Sequence, residues 1–355
     1  MQFDPMRRRD ILTFLACSAA AWPLGAIAQA PQSPVIAILS SGSSEAFNSF
    51  VESFQQGLHE QGYVNGHNVR VISTWADGKY DKLEALANEL VQKRVQLIVA
   101  SGGLISAKAA MKATASIPIL FVSGFDPVDV GLVVSLNRPG GNATGVSLFS
   151  TELHPKRLEL LYQLGVKIET AGMLLNPKAV SAKIDRQDSE DAARRKGYRL
   201  RIFEASTERE ITSAFEVAAR EQVSAFLVVA DPFFNTRRDQ IVGLAACHAM
   251  PVIYPWREFV DAGGLMSYGP ELTWAYRLVG QYAGRILKGE RPGDLPVQQP
   301  ANFKLIINLN TAKALGLNLE NIAPNLISLA DEVIEKEPVK GGSGSVAASS
   351  ICQKG

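Results

Sequence analysis

The chain has 355 residues, of which 46% are hydrophobic and 20% are charged, and its formal net charge is +1. At about 100–200 residues per domain this length fits two globular domains, and the apolar content is sufficient for two cores. A nearly neutral chain offers no electrostatic reason to bind nucleic acid or an anionic membrane. We therefore expect no nucleic-acid partner.

The first thirty residues have the pattern of a secretory signal. Three arginines, Arg7–Arg9, precede the apolar run Ile11–Ala16, and small residues continue to Ala26–Ala28. A basic start, a short apolar stretch and an A-x-A ending predict a signal peptide over residues 1–30. The apolar stretch is too short to span about 30 Å of hydrocarbon. The arginine pair predicts export to the periplasm by the twin-arginine route.

Two alternatives stay open at this end of the chain. Translation could begin at Met1 or at Met6, because the arginines follow both. Cys17 is a weaker candidate for lipidation, since it lies inside the apolar stretch and Trp22 and Leu24 follow it.

Short apolar strands alternate with amphipathic helices along residues 35–149. Continuous apolar runs of four to eight residues are typical of strands that are buried on both faces. The predicted strands are Val35–Leu39, Val69–Trp75, Leu97–Ala100, Ile117–Val122 and Thr144–Phe149. The predicted helices are Phe47–Leu58, Tyr80–Arg94, Ile105–Ala113 and Val130–Leu136.

The same alternation restarts after residue 150. The predicted helices are Lys156–Leu164, Asp185–Lys196, Glu208–Arg220, Thr236–His248, Glu258–Ala262, Leu272–Lys288, Thr311–Leu315 and Ala323–Ile334. The predicted strands are Ala171–Leu175, Arg199–Glu204, Ala225–Val229, Val252–Tyr254, Leu265–Tyr268 and Phe303–Asn308.

This alternation predicts an α/β fold with two doubly wound parallel-sheet lobes, because about ten strands are too many for one sheet of this length. The segments Ile117–Phe121 and Met250–Tyr254 are alike, since in each a proline precedes an apolar strand that ends in an aromatic residue. We expect three crossovers in the hinge. The predicted boundaries are 34–146 plus 268–294 for lobe 1, 147–267 plus 295–336 for lobe 2, and 337–355 for a flexible tail.

The loops that follow the strands are rich in serine, glycine, asparagine and aspartate. Ligands of parallel α/β sheets bind beyond the carboxyl ends of the strands, where backbone N–H groups attract anions. Nearby aromatic side chains would supply apolar area, namely Phe125, Phe233, Phe234, Tyr254 and Trp256. The same small polar residues are also ordinary turn and cap residues, so this alternative stays open.

Motifs for catalysis, metals and cofactors are missing from the sequence. His59–Glu60 begins like a metalloprotease motif, but Tyr63 stands where the second histidine belongs. Gly140–Gly141 and Gly145 come before a strand, whereas a dinucleotide-binding fingerprint follows one. We therefore predict no enzyme activity, no metal and no cofactor. An exported α/β enzyme that uses the carboxylates of the Asp126 and Asp231 loops stays open as the alternative.

Four groups of sequence segments resemble those of a known family. They are Phe54–Leu58 with Gly62–Val69, Ile117–Phe121 with Asp126–Val128 and Gly131–Val133, Arg138–Val146, and Asp231–Phe234 with Arg257–Val260 and Ala262–Gly269. Together they resemble the ABC-transporter substrate-binding proteins that include tryptophan and tyrosine receptors, in a proteobacterial branch. The resemblance extends from Val35 to Ile334. It implies a type I periplasmic-binding fold and a receptor that delivers a solute to an ABC permease of the inner membrane.

The resemblance also implies where the solute binds. The ligand loops of the family correspond to Ser41, Gly42, Ser101, Gly102, Ser123, Asp126, Asn176, Asp231 and Tyr268. With Phe233 and Tyr254 from the aromatic set, these residues form the predicted ligand site. We expect a monomer that closes around a small solute, with an aromatic amino acid or aromatic acid as the first candidate. A DNA-binding regulator of the same fold class is disfavoured because residues 1–34 have a leader pattern.

Overall fold

The structure is a computed structural model, and it describes residues 33–335 of the chain. The predicted signal peptide with Cys17 and the predicted tail from residue 337 lie outside the described residues. In the described part, twelve strands form two sheets.

The first sheet has five parallel strands in the order β2-β1-β3-β4-β5. Every residue of β3, β4 and β5 is buried, as expected for strands with helices on both faces. The strands are β1 Val35–Ser40, β2 Arg70–Trp75, β3 Leu97–Ser101, β4 Ile119–Ser123 and β5 Ala143–Ser147.

Three helices connect these strands: α1 Ser44–Glu60, α2 Leu83–Gln92 and α3 Leu104–Ala113. The Ser43 side chain caps α1 by accepting a hydrogen bond from the Ala46 N–H at 3.4 Å, and such a cap satisfies one free donor of the first turn. Phe47, Phe50 and Phe54 recur at helical spacing and are buried on one face of α1. A 3₁₀ turn, Tyr80–Lys82, precedes α2.

The second sheet has seven strands in the order β12-β11-β10-β9-β8-β6-β7, and β10 and β11 form its antiparallel pair. The strands are β6 Ala171–Leu175, β7 Leu200–Glu204, β8 Ala225–Val228, β9 Val252–Tyr254, β10 Met266–Gly269, β11 Lys304–Asn308 and β12 Glu332–Ile334.

The helices along this half of the chain are α4 His154–Tyr162, α5 Ala182–Lys196, α6 Glu208–Arg220, α7 Pro232–Thr236, α8 Arg238–Cys247, α9 Arg257–Asp261, α10 Leu272–Leu287, α11 Leu309–Ala314, α12 Leu319–Ile322 and α13 Pro324–Ser328. Apart from α10 they belong with the second sheet, and we call this group the second lobe. The first sheet with α1–α3 and α10 is the first lobe.

The helix α10 belongs to the first lobe because it packs directly on α1. A Cβ atom added to Gly57 of α1 would lie 1.8 Å from the Arg277 carbonyl oxygen, and one added to Gly280 of α10 would lie 2.0 Å from the Phe54 carbonyl oxygen. Glycine at both positions therefore lets the two backbones touch. The Tyr276 ring stacks on Phe50 with centroids 5.1 Å apart.

The chain crosses between the two sheets three times: after β5, between β10 and α10, and between α10 and β11. The third crossing runs beside β5, where the Ser147 N–H donates to the Gln298 carbonyl at 2.9 Å and the Gln298 N–H donates to the Gly145 carbonyl at 2.9 Å. The prediction of two parallel-sheet lobes with a three-crossover hinge is confirmed. The residue boundaries of the lobes stay a prediction.

Two predicted helices are wrong. Residues 130–136 form turns, because Gly131 has a φ of 73°, which a right-handed helix cannot accommodate. The predicted helix Ala323–Ile334 ends early as α13, and Glu332–Ile334 instead pairs with β11 as an additional parallel strand. Within residues 33–335, no helix is both long enough and apolar enough to cross a membrane.

Candidate functional site

Four predicted ligand residues lie together at the ends of β1 and β3. The Ser41 Oγ–H donates to the Gly102 carbonyl at 2.6 Å, and the Ser41 N–H donates to the Ser101 carbonyl at 3.3 Å. Gly102 has a φ of 78°, and a Cβ there would lie 2.4 Å from Ser41 Oγ. The Gly42 N–H donates to Ser40 Oγ at 3.2 Å. Because β1 and β3 are neighbours in the sheet, their polar ends meet and hold each other in place.

The Ser101 hydroxyl is engaged with the first lobe itself. Its Oγ lies 2.6 Å from Tyr276 Oη, and both side chains are buried. Burial raises the pKa of the Tyr276 phenol to about 12. This pair connects the end of β3 to α10 through a neutral hydrogen bond.

Ser123 and Asp126 form the turn that follows β4. Ser123 Oγ accepts from the Phe125 N–H at 3.2 Å, and Asp126 Oδ1 accepts from the Val128 N–H at 2.7 Å. Ser123 is buried, whereas Asp126 is partly exposed. Both side chains make the bonds expected of turn caps.

Asp231 is the centre of a buried cluster at the contact between the lobes. Its Oδ1 accepts from Asn176 Nδ2 at 3.0 Å and from the Phe233 N–H at 3.0 Å. Tyr80 Oη lies 3.0 Å from both carboxylate oxygens, and it accepts from the Phe233 N–H at 3.2 Å. Asn176 Oδ1 in turn accepts from the Lys178 N–H at 3.0 Å. The cluster therefore joins a side chain of the first lobe to four residues of the second.

The hydrogen bonds of this cluster bring no positive charge to the Asp231 carboxylate. Asp231 is 2% exposed, and the donors that reach its carboxylate within residues 33–335 are all neutral. Burial raises the pKa of the Asp231 carboxyl to about 6, although the bonds from Asn176 and Tyr80 oppose that shift. Burial, reinforced by the Asp231 charge, raises the pKa of Tyr80 well above its usual value. A cationic partner would therefore stabilise the charged form of the Asp231 carboxyl.

Apolar contacts accompany this polar bridge between the lobes. A Cβ atom added to Gly78 would lie 3.0 Å from the Phe233 ring, and one added to Gly103 would lie 3.6 Å from Pro232. Phe233 itself is 6% exposed. The loops after β2 and β3 therefore meet the start of α7 directly, so the cleft is closed here.

Within the described residues, Tyr254 and Tyr268 make none of the hydrogen bonds of the Asp231 cluster. Tyr254 is fully buried in the second lobe, where its ring stacks on Phe259 at 4.8 Å. Tyr268 is partly exposed, its ring lies 6.2 Å from that of Phe303, and its carbonyl accepts from Arg157 Nε at 2.8 Å. A solute contact by either residue stays a prediction, as it does for the other residues of the predicted site.

Arg157 forms a second buried polar cluster, which sequence analysis missed. It is fully buried, and its guanidinium donates to the Tyr268 carbonyl, to the Ser150 carbonyl at 3.0 Å and to Ser150 Oγ at 3.1 Å. Ser150 follows the first crossing and Tyr268 precedes the second. Arg157 therefore binds two hinge segments together from inside the second lobe.

His154 lies between Arg157 and the carboxylate of Asp185 and is hydrogen-bonded to both. Arg157 Nη1 lies 3.4 Å from His154 Nδ1, and His154 Nε2 lies 3.1 Å from Asp185 Oδ1. Because a guanidinium can only donate, Nδ1 accepts, and the imidazole proton sits on Nε2 and donates to Asp185. Burial lowers the pKa of Arg157 to about 9, and the Asp185 charge acts against this shift.

The sequence offered little to identify two of these residues. Tyr80 was predicted only as the beginning of a helix, and Arg157 only fell within the predicted helix Lys156–Leu164, because neither belongs to a motif. In the described part of the chain, no group of three or more His, Cys, Asp or Glu residues could hold a metal ion. The Asp231 cluster is suited to binding a small cationic or zwitterionic group between the two lobes.

Residues 35–334 match a family model described as ABC transporter substrate binding protein. The match covers most of the chain, so the chain belongs to this family. Proteins of the family bind small solutes and deliver them to ABC permeases, and the chain is accordingly a solute-binding receptor.

Individual relatives agree with this assignment. The chain is 29% identical over 266 residues to a tyrosine-binding protein of Clostridioides difficile (strain R20291), covering 75% of this chain and 76% of the relative. A crystal structure of an ABC domain from Streptococcus pneumonia in complex with L-Trp is 25% identical, with a TM-score of 0.73, and covers 84% of this chain and 100% of that one.

A ligand-free, open structure of a substrate-binding protein with adhesive properties from Clostridium difficile is 26% identical. It covers 85% of this chain and 100% of that one, but its TM-score is lower, at 0.59.

Proposed function

We propose that this receptor captures an aromatic amino acid between its lobes and that Asp231 binds the ammonium group. The observation that carries the proposal is the buried carboxylate at the lobe contact, which is served only by neutral donors among the described residues. A buried charge without an opposite charge is costly, and a ligand cation would offset that cost. Charge-assisted hydrogen bonds of this kind are about twice as strong as neutral ones.

The surroundings of Asp231 supply the apolar part of such a site. Phe233 lies two positions after Asp231, and the Tyr80 side chain approaches from the opposite lobe. Aromatic rings offer large apolar area for a ring-bearing solute. The relatives support the same class, since one is named a tyrosine-binding protein and another was crystallised with L-Trp.

Closure of the two lobes is the proposed capture mechanism. Asp231 and Asn176 come from the second lobe and Tyr80 from the first, so the cluster is complete only when the lobes meet. Hinge closure around a ligand is the usual motion of such two-lobed receptors. Opening would break the Tyr80 bond and expose the carboxylate to an incoming solute.

A thermal-shift screen followed by calorimetry tests the ligand class. The panel contains L-tyrosine, L-tryptophan and L-phenylalanine, the corresponding deaminated aromatic acids, tyramine, aliphatic amino acids and sugars. We expect the aromatic amino acids to raise the melting temperature most, since ligand binding stabilises the folded state. Stabilisation by sugars alone would exclude the aromatic class, and equal binding of the deaminated acids would remove the ammonium contact.

Substitution of Asp231 tests the residue-level claim. Asp231→Ala should weaken binding of the best aromatic amino acid about 100-fold, because a buried charge-assisted contact is lost. The fold should persist, as judged by circular dichroism. Asp188→Ala, an exposed acid on α5 of the same lobe, is the matched control and should bind like the wild type. Unchanged affinity in Asp231→Ala would remove Asp231 from the site.

We also propose that the solute is held without being transformed. After overnight incubation, mass spectrometry of the released ligand should recover it chemically unchanged. Turnover that is lost in Asp126→Asn or Asp231→Asn would favour the exported enzyme instead.

We further propose that the chain is exported to the periplasm by the twin-arginine route and serves an inner-membrane ABC permease as a monomer. The arginine-rich start of residues 1–30 supports export. Replacing Arg8 and Arg9 by lysine should stop the appearance of the protein in the periplasmic fraction. Export through the general secretory route would leave that fraction unchanged.

A further inference from the structure

Cys247 is the last residue of α8 in the second lobe, and it is disulfide-bonded. The chain has two other cysteines, Cys17 and Cys352, and both lie outside the described residues. Cys247 is partly exposed, so a segment of chain that passes over the surface can reach its sulfur. The partner of Cys247 is therefore a cysteine near one of the two ends of the chain.

The two ends differ in what an exported protein keeps. Cys17 belongs to residues 1–30, whose signal-peptide pattern implies removal on export. Cys352 lies near the carboxyl end and stays with the exported chain. Loss of the leader would leave two cysteines, which is the smallest number that can form a disulfide within one chain. The periplasm is an oxidising compartment in which disulfides form and persist.

Cys247 lies at the edge of the second sheet that points away from the first lobe. Asp231 follows the carboxyl end of β8 and meets the first lobe through Tyr80. The helix α8 then runs back along the sheet and ends at Cys247, just before β9 begins at Val252. Because β8 and β9 are parallel, the start of β9 and the end of α8 lie at the edge opposite to Asp231.

The carboxyl end of β12 lies at this same edge. Ile334, the last residue of β12, pairs with Asn308 of β11, and the Asn308 N–H donates to the Leu265 carbonyl at 2.8 Å just before β10 begins. The strand β10 is parallel to β9 and starts level with it. Ile334 and Val252 thus lie in one row across four neighbouring strands, and three strand spacings separate them by roughly 14 Å.

The segment between Ile334 and Cys352 is long enough to cover this distance. The two residues are 18 positions apart (352 minus 334), and residues 341–345 are Gly-Gly-Ser-Gly-Ser. A Gly/Ser-rich chain of this length has an average end-to-end distance of roughly 21–25 Å. Cys352 can therefore approach Cys247 to the Cα separation of a disulfide, about 4.4–6.8 Å, without any change in the sheet.

A bond from Cys247 to the carboxyl-terminal segment would complete the attachment of β12. At the start of this strand, Arg257 Nη2 donates to Glu332 Oε1 at 2.8 Å. Within the described residues, β12 pairs only with β11 and forms an edge of the second sheet. A covalent bond beyond Ile334 would hold the other end of this three-residue strand.

We propose that Cys247 and Cys352 form an intramolecular disulfide that attaches the carboxyl-terminal segment to the edge of the second lobe opposite the ligand cleft. The bond forms by thiol–disulfide exchange. The thiolate of one cysteine attacks a disulfide of the oxidant and gives a mixed disulfide, and the thiolate of the other cysteine then displaces the remaining oxidant thiol. Two protein thiols and one oxidant disulfide become one protein disulfide and two oxidant thiols.

Peptide mapping of the purified full chain tests the pairing without relying on export. The reduced chain is oxidised with glutathione disulfide, free thiols are blocked with iodoacetamide, and the tryptic peptides are measured by mass spectrometry without reduction. We expect residues 239–257 to be linked to residues 341–354, at the summed peptide mass less two hydrogen atoms. A link from Cys247 to the peptide that carries Cys17, a free Cys247 thiol, or a disulfide between two copies of Cys352 would overturn the proposal.

Limited proteolysis measures whether the bond holds the carboxyl-terminal segment. Endoproteinase Lys-C can cut after Lys340, and in the oxidised wild type the fragment 341–354 should stay with the protein until a reductant is added. In Cys247→Ser and in Cys352→Ser the fragment should be released without reductant. Cys17→Ser is the matched control and should retain the fragment as the wild type does. Release from the oxidised wild type without reductant would contradict the proposed bond.

Ligand binding separates this proposal from the proposed function. Because Cys247 and Asp231 lie at opposite edges of the second sheet, Cys352→Ser should bind the best ligand of the thermal-shift screen with wild-type affinity. A large loss of affinity in this variant would mean that the segment acts on the cleft, and would overturn its placement at the remote edge. If the linked peptides are found but no aromatic amino acid binds, the disulfide stands and the proposed function fails.

Discussion

Asp231 and Arg157 are both fully buried charges without a direct partner of opposite charge among the described residues, yet their surroundings differ. Asp231 accepts hydrogen bonds from both lobes, because Tyr80 belongs to the first and Asn176 to the second. Arg157 donates only to residues of the second lobe and its hinge segments, including Ser150 and Tyr268.

The hydrogen bond of Asp231 to Tyr80 therefore depends on contact between the lobes, whereas the bonds of Arg157 do not. Opening of the cleft would break the bond of Asp231 to Tyr80 and expose the acid to water or to a solute. We expect the same motion to leave the bonds of Arg157 to Ser150 and Tyr268 intact, because all three residues lie on the side of the second lobe. We therefore expect Asp231 to govern ligand binding and Arg157 to govern stability.

The largest expected effect is that of Arg157 on stability. Arg157→Met leaves the carbonyls of Ser150 and Tyr268 buried without their donor and leaves Asp185 without its compensating charge. Breaking a buried polar network by removing one member costs about 3–5 kcal/mol. Urea unfolding should therefore show a large loss of unfolding free energy at an unchanged slope.

An exposed arginine supplies the control for this measurement. Arg291 is paired with Asp294 on the surface, with 80% of its side chain exposed. Arg291→Met should change stability by less than about 1 kcal/mol, as is usual for surface ion pairs. Equal losses in Arg157→Met and Arg291→Met would show that the Arg157 cluster is not a structural anchor.

The second effect concerns the pH dependence of binding. Burial raises the pKa of the Asp231 carboxyl to about 6, so protons compete with the ligand ammonium group below that pH. Affinity for an aromatic amino acid should fall about tenfold from pH 7.5 to pH 5. Calorimetry across this range should find the fall in the wild type and a flat, weaker profile in Asp231→Asn. A pH-independent wild type would remove the charged contact.

The stability of the ligand-free protein should follow the opposite trend. The pKa of Asp231 rises from its ordinary 3.8 to about 6 on folding, so the folded state holds a proton that the unfolded state has released. This contribution is fully present below pH 3.8 and is lost as pH rises through 6. In Asp231→Asn, this fall in stability with rising pH should be absent from thermal melts. The difference between the melting temperatures of wild type and variant at each pH isolates the contribution of Asp231 from that of other acids.

The smallest expected effect is that of the Tyr80 hydroxyl on closure of the lobes and on ligand affinity. Tyr80→Phe removes the hydroxyl that donates to Asp231 and accepts from the Phe233 N–H. The closed form should lose about 1 kcal/mol, and ligand affinity should fall about fivefold. Small-angle scattering of the ligand-free protein should show a larger radius of gyration.

Tyr162→Phe provides the comparison for this variant, because the Tyr162 hydroxyl donates to the Arg199 carbonyl within the second lobe. It should leave both affinity and radius unchanged. Identical behaviour of Tyr80→Phe and wild type would mean that the bridge to Asp231 does not hold the lobes together.

The fold could largely be predicted because its strands are short apolar runs with polar ends. Ile119–Ser123 and Leu97–Ser101 are buried on both faces, so their composition alone identifies them. The strand Glu332–Ile334 was missed because it is recognised only by its pairing with residues 306–308. The turn at Gly131 was read as a helix because its apolar neighbours mimic helical spacing.

The polar clusters were harder to predict, because they bring together residues that are far apart in the sequence. Asn176 and Asp231 were predicted from strand ends, and these two side chains are in fact hydrogen-bonded to each other. Tyr80 reaches them from 151 positions away, so no local pattern identifies it. Arg157 lies on an amphipathic helix where arginine normally faces water, and its burial follows from hinge carbonyls that need a donor.

The packing of α10 on α1 has a consequence for how the chain is made. Leu272 follows Ser147 by 125 positions (272 minus 147). At a synthesis rate of roughly 5–20 residues per second, the ribosome needs roughly 6–25 seconds to travel between them. During that interval Phe50 and Phe54 on α1 lack the helix that covers them, so the first lobe can complete its core only after most of the second lobe has been translated.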